Sequence, residues 1–142
     1  MVIARNVERL YNMQTQIVDT LNNLYPNMDK LQESEDPFCS YDATNDTYIV
    51  EIKSRSTEYD SWMIEKDKFM SNINKSIETG KAFIYLTEYN GKIMTWNINR
   101  LIANETDFFW QSRPMPKTTE FDNNNTVDKE VGFLYEKDAK IP

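Results

Sequence analysis

The sequence predicts a single α/β domain of the α+β kind, in which helices flank a mixed central sheet. Apolar residues recur at helical spacing over residues 7–25, and residues 47–53 alternate β-branched or aromatic residues with polar ones, as strands do. Residues 81–88 follow a second predicted helix and form a near-continuous apolar run, typical of a strand buried on both faces. A buried strand after a helix favours a parallel crossover, so we expect a mixed sheet.

The predicted elements run in the order helix, strands, helix, strand hairpin, helix and tail. We expect the first helix to begin after Asn6 and to end before Pro26, because proline disfavours helical geometry at the preceding residue. The hairpin over residues 81–97 turns at Asn90-Gly91, the strongest two-residue turn signal. A short helix is expected over residues 98–103.

The second helix is expected to begin at Asp60 or Ser61 and to stop at Gly80. Its apolar face is predicted from the spacing of Trp62, Met63, Phe69, Met70, Ile73 and Ile77. On this helix Lys66 falls near the centre of the apolar face, whereas Lys68 points almost directly away. A lysine in an apolar stripe either extends its ammonium to solvent or meets an anion.

One domain is expected to span residues 1–142, with its core over about residues 7–103. Residues 104–142 are expected to form a long loop and a C-terminal edge strand over residues 131–135. Within this segment Phe108 to Trp110 form an aromatic anchor.

Composition excludes several chemistries. The chain has no histidine and a single cysteine, which excludes structural zinc sites and serine–histidine or cysteine–histidine triads. The net charge of −7 argues against a generic basic nucleic-acid coat but leaves room for a local basic patch. No apolar run reaches the ~20 residues that span a bilayer, so we expect no membrane partner and a cytoplasmic location. The small size and asparagine richness are consistent with a phage-encoded protein, which would act in the host cytoplasm.

Residues 41–53 are the most informative stretch. Asn45-Asp46 between Thr44 and Thr47 predicts a tight hairpin turn. If Thr44 faces Thr47, Asp42 lies opposite Ile49 and diagonal to Glu51. Because side chains alternate, Glu51 and Lys53 then share a face with Asp42, while Tyr48, Val50 and Ile52 occupy the core-like face. Two carboxylates and an ammonium on one face suit a divalent cation.

Asp42 followed by Glu51-Ile52-Lys53 on the next strand, then a helix and an apolar strand, resembles the PD-(D/E)XK nuclease superfamily. The resemblance implies a restriction-endonuclease-like core of the order α-β-β-β-α-β. It also implies that Asp42, Glu51 and the Ile52 carbonyl bind metal and that Lys53 is catalytic. Tyr41 stands before Asp42, where the name-giving motif has proline.

Weaker implications of the resemblance concern three further positions. Glu8 corresponds by location to a first-helix acid that some members add to the metal site, although a carboxylate there also suits the helix dipole. Arg55, Lys66 and Lys68 correspond to places where members put substrate-contacting residues.

Function follows from these expectations. The sequence predicts a Mg²⁺-dependent endodeoxyribonuclease, with Mn²⁺ as a substitute ion, DNA as partner and a homodimer as the assembly. An enzyme of this size without an added DNA-reading domain suits a structure-selective or resolvase-like activity. Two alternatives stay open: a catalytically inactive nuclease-fold subunit that binds DNA or protein, and an unrelated interaction protein with Phe108 to Trp110 as its docking patch.

Overall fold

The computed structural model describes residues 2–36, 38–116 and 126–142, and for residues 2–12 it describes the backbone alone. The helices are α1 (Val2–Leu24), α2 (Lys66–Thr79) and α3 (Ile98–Ala103), followed by a short 3₁₀ helix (Glu136–Asp138). The strands are β1 (Gln32–Glu33), β2 (Ala43–Thr44), β3 (Tyr48–Arg55), β4 (Trp62–Glu65), β5 (Ala82–Tyr89), β6 (Lys92–Asn97), β7 (Gln111–Pro116) and β8 (Thr126–Leu134).

Five strands form a mixed sheet in the order β1-β2-β3-β5-β6. The pair β3–β5 is parallel and the other neighbouring strands are antiparallel, so the predicted mixed sheet and parallel crossover are confirmed. Helix α1 packs on one face of this sheet through Ile17, Val18 and Leu21, and α2 and α3 pack on the other. No helix in the described part of the chain is long and apolar enough to cross a bilayer.

Strand β3 lies at the centre of the sheet and separates the two cores. Ile49 packs with Phe83 and Tyr85 under α2, whereas Val50 and Ile52 pack under α1. The predicted division of this strand into two faces is therefore confirmed. Glu51 lies on the α2 face and is only 3% exposed, an unusual place for a carboxylate.

The hairpin between β2 and β3 forms, but its predicted register is wrong. Ala43 faces Val50 and Thr44 faces Ile49, a shift of two residues from the predicted pairing. The turn residues are Asp46 and Thr47, because the buried Asn45 closes the turn with its side chain. Its Oδ1 accepts the amide hydrogens of Thr47 and Tyr48 at 2.9 and 2.7 Å. An even shift preserves the faces and brings Asp42 beside Glu51.

The second helix begins later than predicted. Residues Trp62 to Glu65 form β4, in which Trp62 and Ile64 are buried and Met63 and Glu65 are half-buried. This period-two burial is that of a strand, and pairing with β8 satisfies the backbone. Helix α2 therefore starts at Lys66 and ends, as predicted, at Gly80, whose φ of 73° is left-handed.

Strands β4, β8 and β7 form a second sheet in that order. The predicted C-terminal strand is therefore longer than expected and is the central strand of this sheet, not an edge. The predicted aromatic anchor is present: Phe108 and Trp110 both pack edge-on against Phe69 of α2. A side chain at Gly132 would meet the Trp110 ring at 2.9 Å, so glycine makes room for this anchor.

Candidate metal centre on strand β3

Asp42 immediately precedes β2 and lies beside the part of β3 that extends beyond their pairing. Its amide donates to the Val50 carbonyl at 2.8 Å, and its Oδ2 accepts the amide hydrogen of Ile52 at 2.7 Å. The Asp42 and Glu51 carboxyl groups lie close enough for each to change the pKa of the other. The two acids that the sequence predicted as metal ligands are thus brought together.

The Ile52 carbonyl points to the same edge as the Asp42 carboxylate. In a strand the amide and carbonyl of one residue point to the same side, and the Ile52 amide is bound to Asp42. The β2–β3 ladder pairs Ala43 with Val50 as its last residues, so Ile52 lies beyond its end. One main-chain oxygen and two carboxylates therefore converge, which is the donor set predicted for the metal.

Burial raises the pKa of both carboxyl groups. The pKa of Glu51 rises to about 7, first because the group is desolvated and then because Asp42 repels its negative charge. The pKa of Asp42 is also raised by burial, although the Ile52 amide and two lysines oppose the rise. A divalent cation would relieve this repulsion and replace the proton on Glu51. The residues present therefore fit the implied metal.

The donor chemistry favours a hard cation that keeps some of its water. The described side chains contain no group of three or more Asp, Glu, Cys or His residues placed to hold a metal. Two carboxylates and one carbonyl leave several coordination positions to water, which is the usual arrangement for Mg²⁺.

Lys53 connects the buried acids to solvent. Its Nζ lies 3.6 Å from Glu51 Oε1, and its side chain is 38% exposed. The sequence placed Lys53 on the face of Glu51, and the contact confirms that placement. An ammonium at this position can touch both the carboxylate pair and an anionic substrate outside.

Of the two α2 lysines predicted as substrate contacts, Lys68 lies beside the acids and Lys66 does not. Lys68 faces the acids, and its positive charge lowers the pKa of both Asp42 and Glu51. Lys66 instead pairs with Glu130 of β8 at 2.7 Å and lies 5.4 Å from the centre of the Trp110 ring. The predicted apolar face was misplaced because Met70 and Ile77 are exposed, whereas Asn72 and Ser76 are buried.

Arg55 does not join the cluster, and Glu8 falls outside the described side chains. The Arg55 guanidinium donates to the Met63 carbonyl at 3.1 Å and lies 3.5 Å from the Tyr85 hydroxyl, so it ties β3 to β4. Its predicted contact with substrate stays a prediction. Glu8 lies in the part of α1 where only the backbone is described, and its predicted role as an outer ligand falls outside the described side chains.

Two buried polar residues were missed by sequence reasoning. Asn72 of α2 is fully buried, and neither atom of its side-chain amide has a hydrogen-bond partner among the described residues. It lies one helical turn after Lys68, on the same line of the helix. Thr87 is also fully buried with an unpartnered hydroxyl, and it pairs in register with Lys53. In the sequence, only the four-residue spacing of Lys68 and Asn72 indicates that these two polar residues form a line along one side of α2.

The predicted docking patch at Phe108 to Trp110 is largely internal. Phe108 is buried in the core and Trp110 packs against it, so of these three residues only Phe109, at 54%, is exposed. The patch therefore offers little surface to a partner.

Comparisons of the chain with protein-family models, with curated proteins and with solved structures give no significant match.

Proposed function

We propose that the protein is a Mg²⁺-dependent nuclease that hydrolyses phosphodiester bonds of DNA, with Mn²⁺ able to replace Mg²⁺. The observation that carries the proposal is the convergence of Asp42, Glu51 and Lys53 at the end of the β2–β3 ladder. Two neighbouring buried acids whose pKa values are both raised are typical of a functional centre.

The order of elements supports the resemblance to the PD-(D/E)XK superfamily. With β4 set aside in the second sheet, the chain runs α1, β1, β2, β3, α2 and β5 through the main sheet and its flanking helices. This is the order α-β-β-β-α-β, with the acids on the second and third strands or next to them. The proposal of a restriction-endonuclease-like core rests on this order.

The chain's own residues have separable tasks in the proposed reaction. Asp42, Glu51 and the Ile52 carbonyl would hold the cation, which polarises the scissile phosphate and lowers the pKa of a bound water. Lys53, beside Glu51 and open to solvent, orients the attacking water and offsets negative charge that builds on the phosphate. Lys68 adds a second positive charge on the same face.

An acidic protein can bind a polyanion through this face. The chain carries a net charge of −7, but the proposed site pairs a cation with two lysines, so the local sign becomes positive. The two lysines would contact phosphates next to the scissile one.

A catalytically inactive nuclease-fold subunit, binding DNA or protein, is the second candidate. It is favoured by the way the acids are already satisfied inside the fold: Ile52 donates to Asp42, and Lys53 lies beside Glu51. In that case the surface around Asp42, Glu51 and Lys53 would resemble a metal site but would not catalyse cleavage.

The test is a cleavage assay on supercoiled, linear duplex, single-stranded and branched DNA, with Mg²⁺, Mn²⁺ or EDTA. We expect cleavage of at least one substrate with either ion, none in EDTA, and none by Glu51→Gln at any ion concentration. Cleavage by Glu51→Gln at the wild-type rate would overturn the catalytic proposal. Retention of DNA without cleavage would favour the second candidate. Sedimentation of the free and DNA-bound protein tests the homodimer expected from the sequence.

A further inference from the structure

A half-open cavity of about 280 Å³ lies on the face of the main sheet opposite Glu51 and Lys53. Its walls come from the end of α1, from the α1-facing residues of β3 and β5, and from the tail after β8. Most of the lining is apolar: Leu21, Leu31, Tyr48, Val50, Ile84 and Leu86.

A single lysine stands among these apolar walls. Lys140 lines the cavity, and its Nζ lies 5.3 Å from the centre of the Tyr25 ring. None of the ion pairs between described side chains involves Lys140, and no acidic residue lines the cavity. Lys140 is exposed, so its positive charge lies at the solvent side of the cavity and has no acidic side-chain partner among the described residues.

The backbone of Lys140 is fixed at this position. Thr95 and Lys140 exchange two backbone hydrogen bonds, at 3.0 and 2.8 Å, across the edge of β6. The Thr95 hydroxyl donates a third bond to the Lys140 carbonyl at 3.2 Å. The tail is thus a built wall of the cavity, and the Lys140 ammonium lies over the Tyr25 ring that also lines it.

We propose that this cavity binds a small amphipathic carboxylate, with an acyl or aryl body against Leu21, Val50 and Leu86 and its carboxylate at the Lys140 ammonium. The volume lies just below the roughly 300–1,000 Å³ of typical ligand sites, and so suits only a small molecule. Apolar walls disfavour a wholly polar anion such as free phosphate, and the Lys140 ammonium disfavours a cationic ligand. The site is separate from the proposed nuclease centre.

The test is a titration of the ¹⁵N-labelled protein with decanoate, followed by amide chemical shifts. We expect saturable shifts at Leu31, Val50 and Leu86. Lys140→Glu should weaken binding at least about tenfold, because hydrogen bonds to charged groups contribute about 1.5–3 kcal/mol. Lys137→Glu is the matched control: it makes the same charge change on an exposed tail residue outside the cavity, and should bind as wild type does.

Decyltrimethylammonium, which has an apolar chain of the same length and the opposite charge, should bind at least about tenfold more weakly than decanoate. Equal binding of the two probes, wild-type affinity in Lys140→Glu, or no saturable shift would each overturn the proposal. Shifts of the same residues on raising the protein concentration alone would assign the cavity to a second copy of the chain and would also overturn it. All of these outcomes are independent of DNA cleavage.

Discussion

The Asp42 carboxylate accepts the amide hydrogen of Ile52 at 2.7 Å and thereby sits beside the carboxyl group of Glu51. The hydrogen bond fixes the orientation of Asp42, and the neighbouring charge raises the pKa of Glu51. These two effects can be separated by substitution, because an asparagine oxygen can still accept the Ile52 hydrogen.

Asp42→Asn should keep the fold and bring the pKa of Glu51 down from about 7 toward its ordinary value. The pKa should stay above that value, since burial is the larger cause of the rise and is unchanged. Carbon-detected NMR titration of the Glu51 carboxyl group measures the shift. An unchanged pKa in Asp42→Asn would mean that burial acts alone and that the two acids do not interact.

The stability of the metal-free protein should fall as pH rises from about 4.5 to about 7, because burial holds a proton on Glu51 in the folded state. Between these values the folded state binds more protons than the unfolded chain, so the free energy of unfolding decreases with pH. The contribution of Glu51 to the free energy of unfolding is complete below its pKa in the unfolded chain and is lost above its pKa in the folded protein. A rise from 4.5 to about 7 corresponds to about 3 kcal/mol.

Denaturant unfolding in EDTA at several pH values measures this slope. Glu51→Gln should largely remove it and should be the more stable protein at pH 8, whereas Glu130→Gln, a half-exposed acid in an ion pair, should retain it. Mg²⁺ should stabilise the wild type more at pH 8 than at pH 6, and should not stabilise Glu51→Gln. A flat profile for the wild type would show that Glu51 ionises normally.

Lys53→Met should lower the single-turnover rate of DNA cleavage by about 10²–10⁴-fold, the usual effect of losing a group that handles the attacking water. The fold should survive, since the Lys53 side chain is 38% exposed. Lys75→Met is a matched control, because Lys75 is 40% exposed and lies 3.7 Å from Glu78. Equal losses in the two variants would point to a general effect of positive charge on DNA binding.

Lys68 and Lys66, two residues apart on α2, should respond differently to substitution by alanine. Lys68→Ala removes a positive charge that acts on both acids, so it should raise the pKa of Glu51 further and weaken DNA binding. Lys66→Ala removes an exposed pair with Glu130, which contributes about 0–1 kcal/mol to stability, and should leave cleavage intact. Filter binding of DNA at several salt concentrations, with cleavage rates, compares the two. The reverse ranking would restore the site predicted from the helical wheel.

The sequence was sufficient for features that depend on local periodicity. Alternation along residues 48–53 placed Glu51 and Lys53 on one face, and an apolar run after a helix predicted the parallel strand β5. Prediction from the sequence failed where pairing with a distant segment determines the local structure. Trp62 to Glu65 pair with β8, almost seventy residues later, and this pairing overrides the helical spacing of the apolar residues that follow. The orientation of Lys68 was mispredicted because the buried face of α2 contains the polar residues Asn72 and Ser76, whereas the apolar Ile77 is exposed.

The hairpin register shows a second kind of limit. Asn45-Asp46 is a sound turn signal, but the Asn45 side chain replaces part of the backbone turn and donates to the Asp29 carbonyl at 2.8 Å. That contact lies outside the hairpin, so local sequence could not reveal it. The predicted face of Asp42, Glu51 and Lys53 was nevertheless correct, because a shift of two residues leaves every side chain on the same face of the sheet.

Asn72→Leu should raise the free energy of unfolding by about 1–3 kcal/mol and yet reduce cleavage. The amide of Asn72 is fully buried and unpartnered among the described residues, and replacing such a group with an apolar one of similar size removes its desolvation cost. It lies one turn from Lys68, so its loss should disturb the polar line that faces the acids.

Denaturant unfolding and cleavage kinetics of the same preparations measure both effects. Ser76→Ala, one turn further along, is the control for a satisfied position: its hydroxyl binds Lys81 and Asn99, and its loss should destabilise the protein. A more stable Asn72→Leu with full activity would remove Asn72 from the site. A less stable one would mean that its amide is bound to buried water in solution.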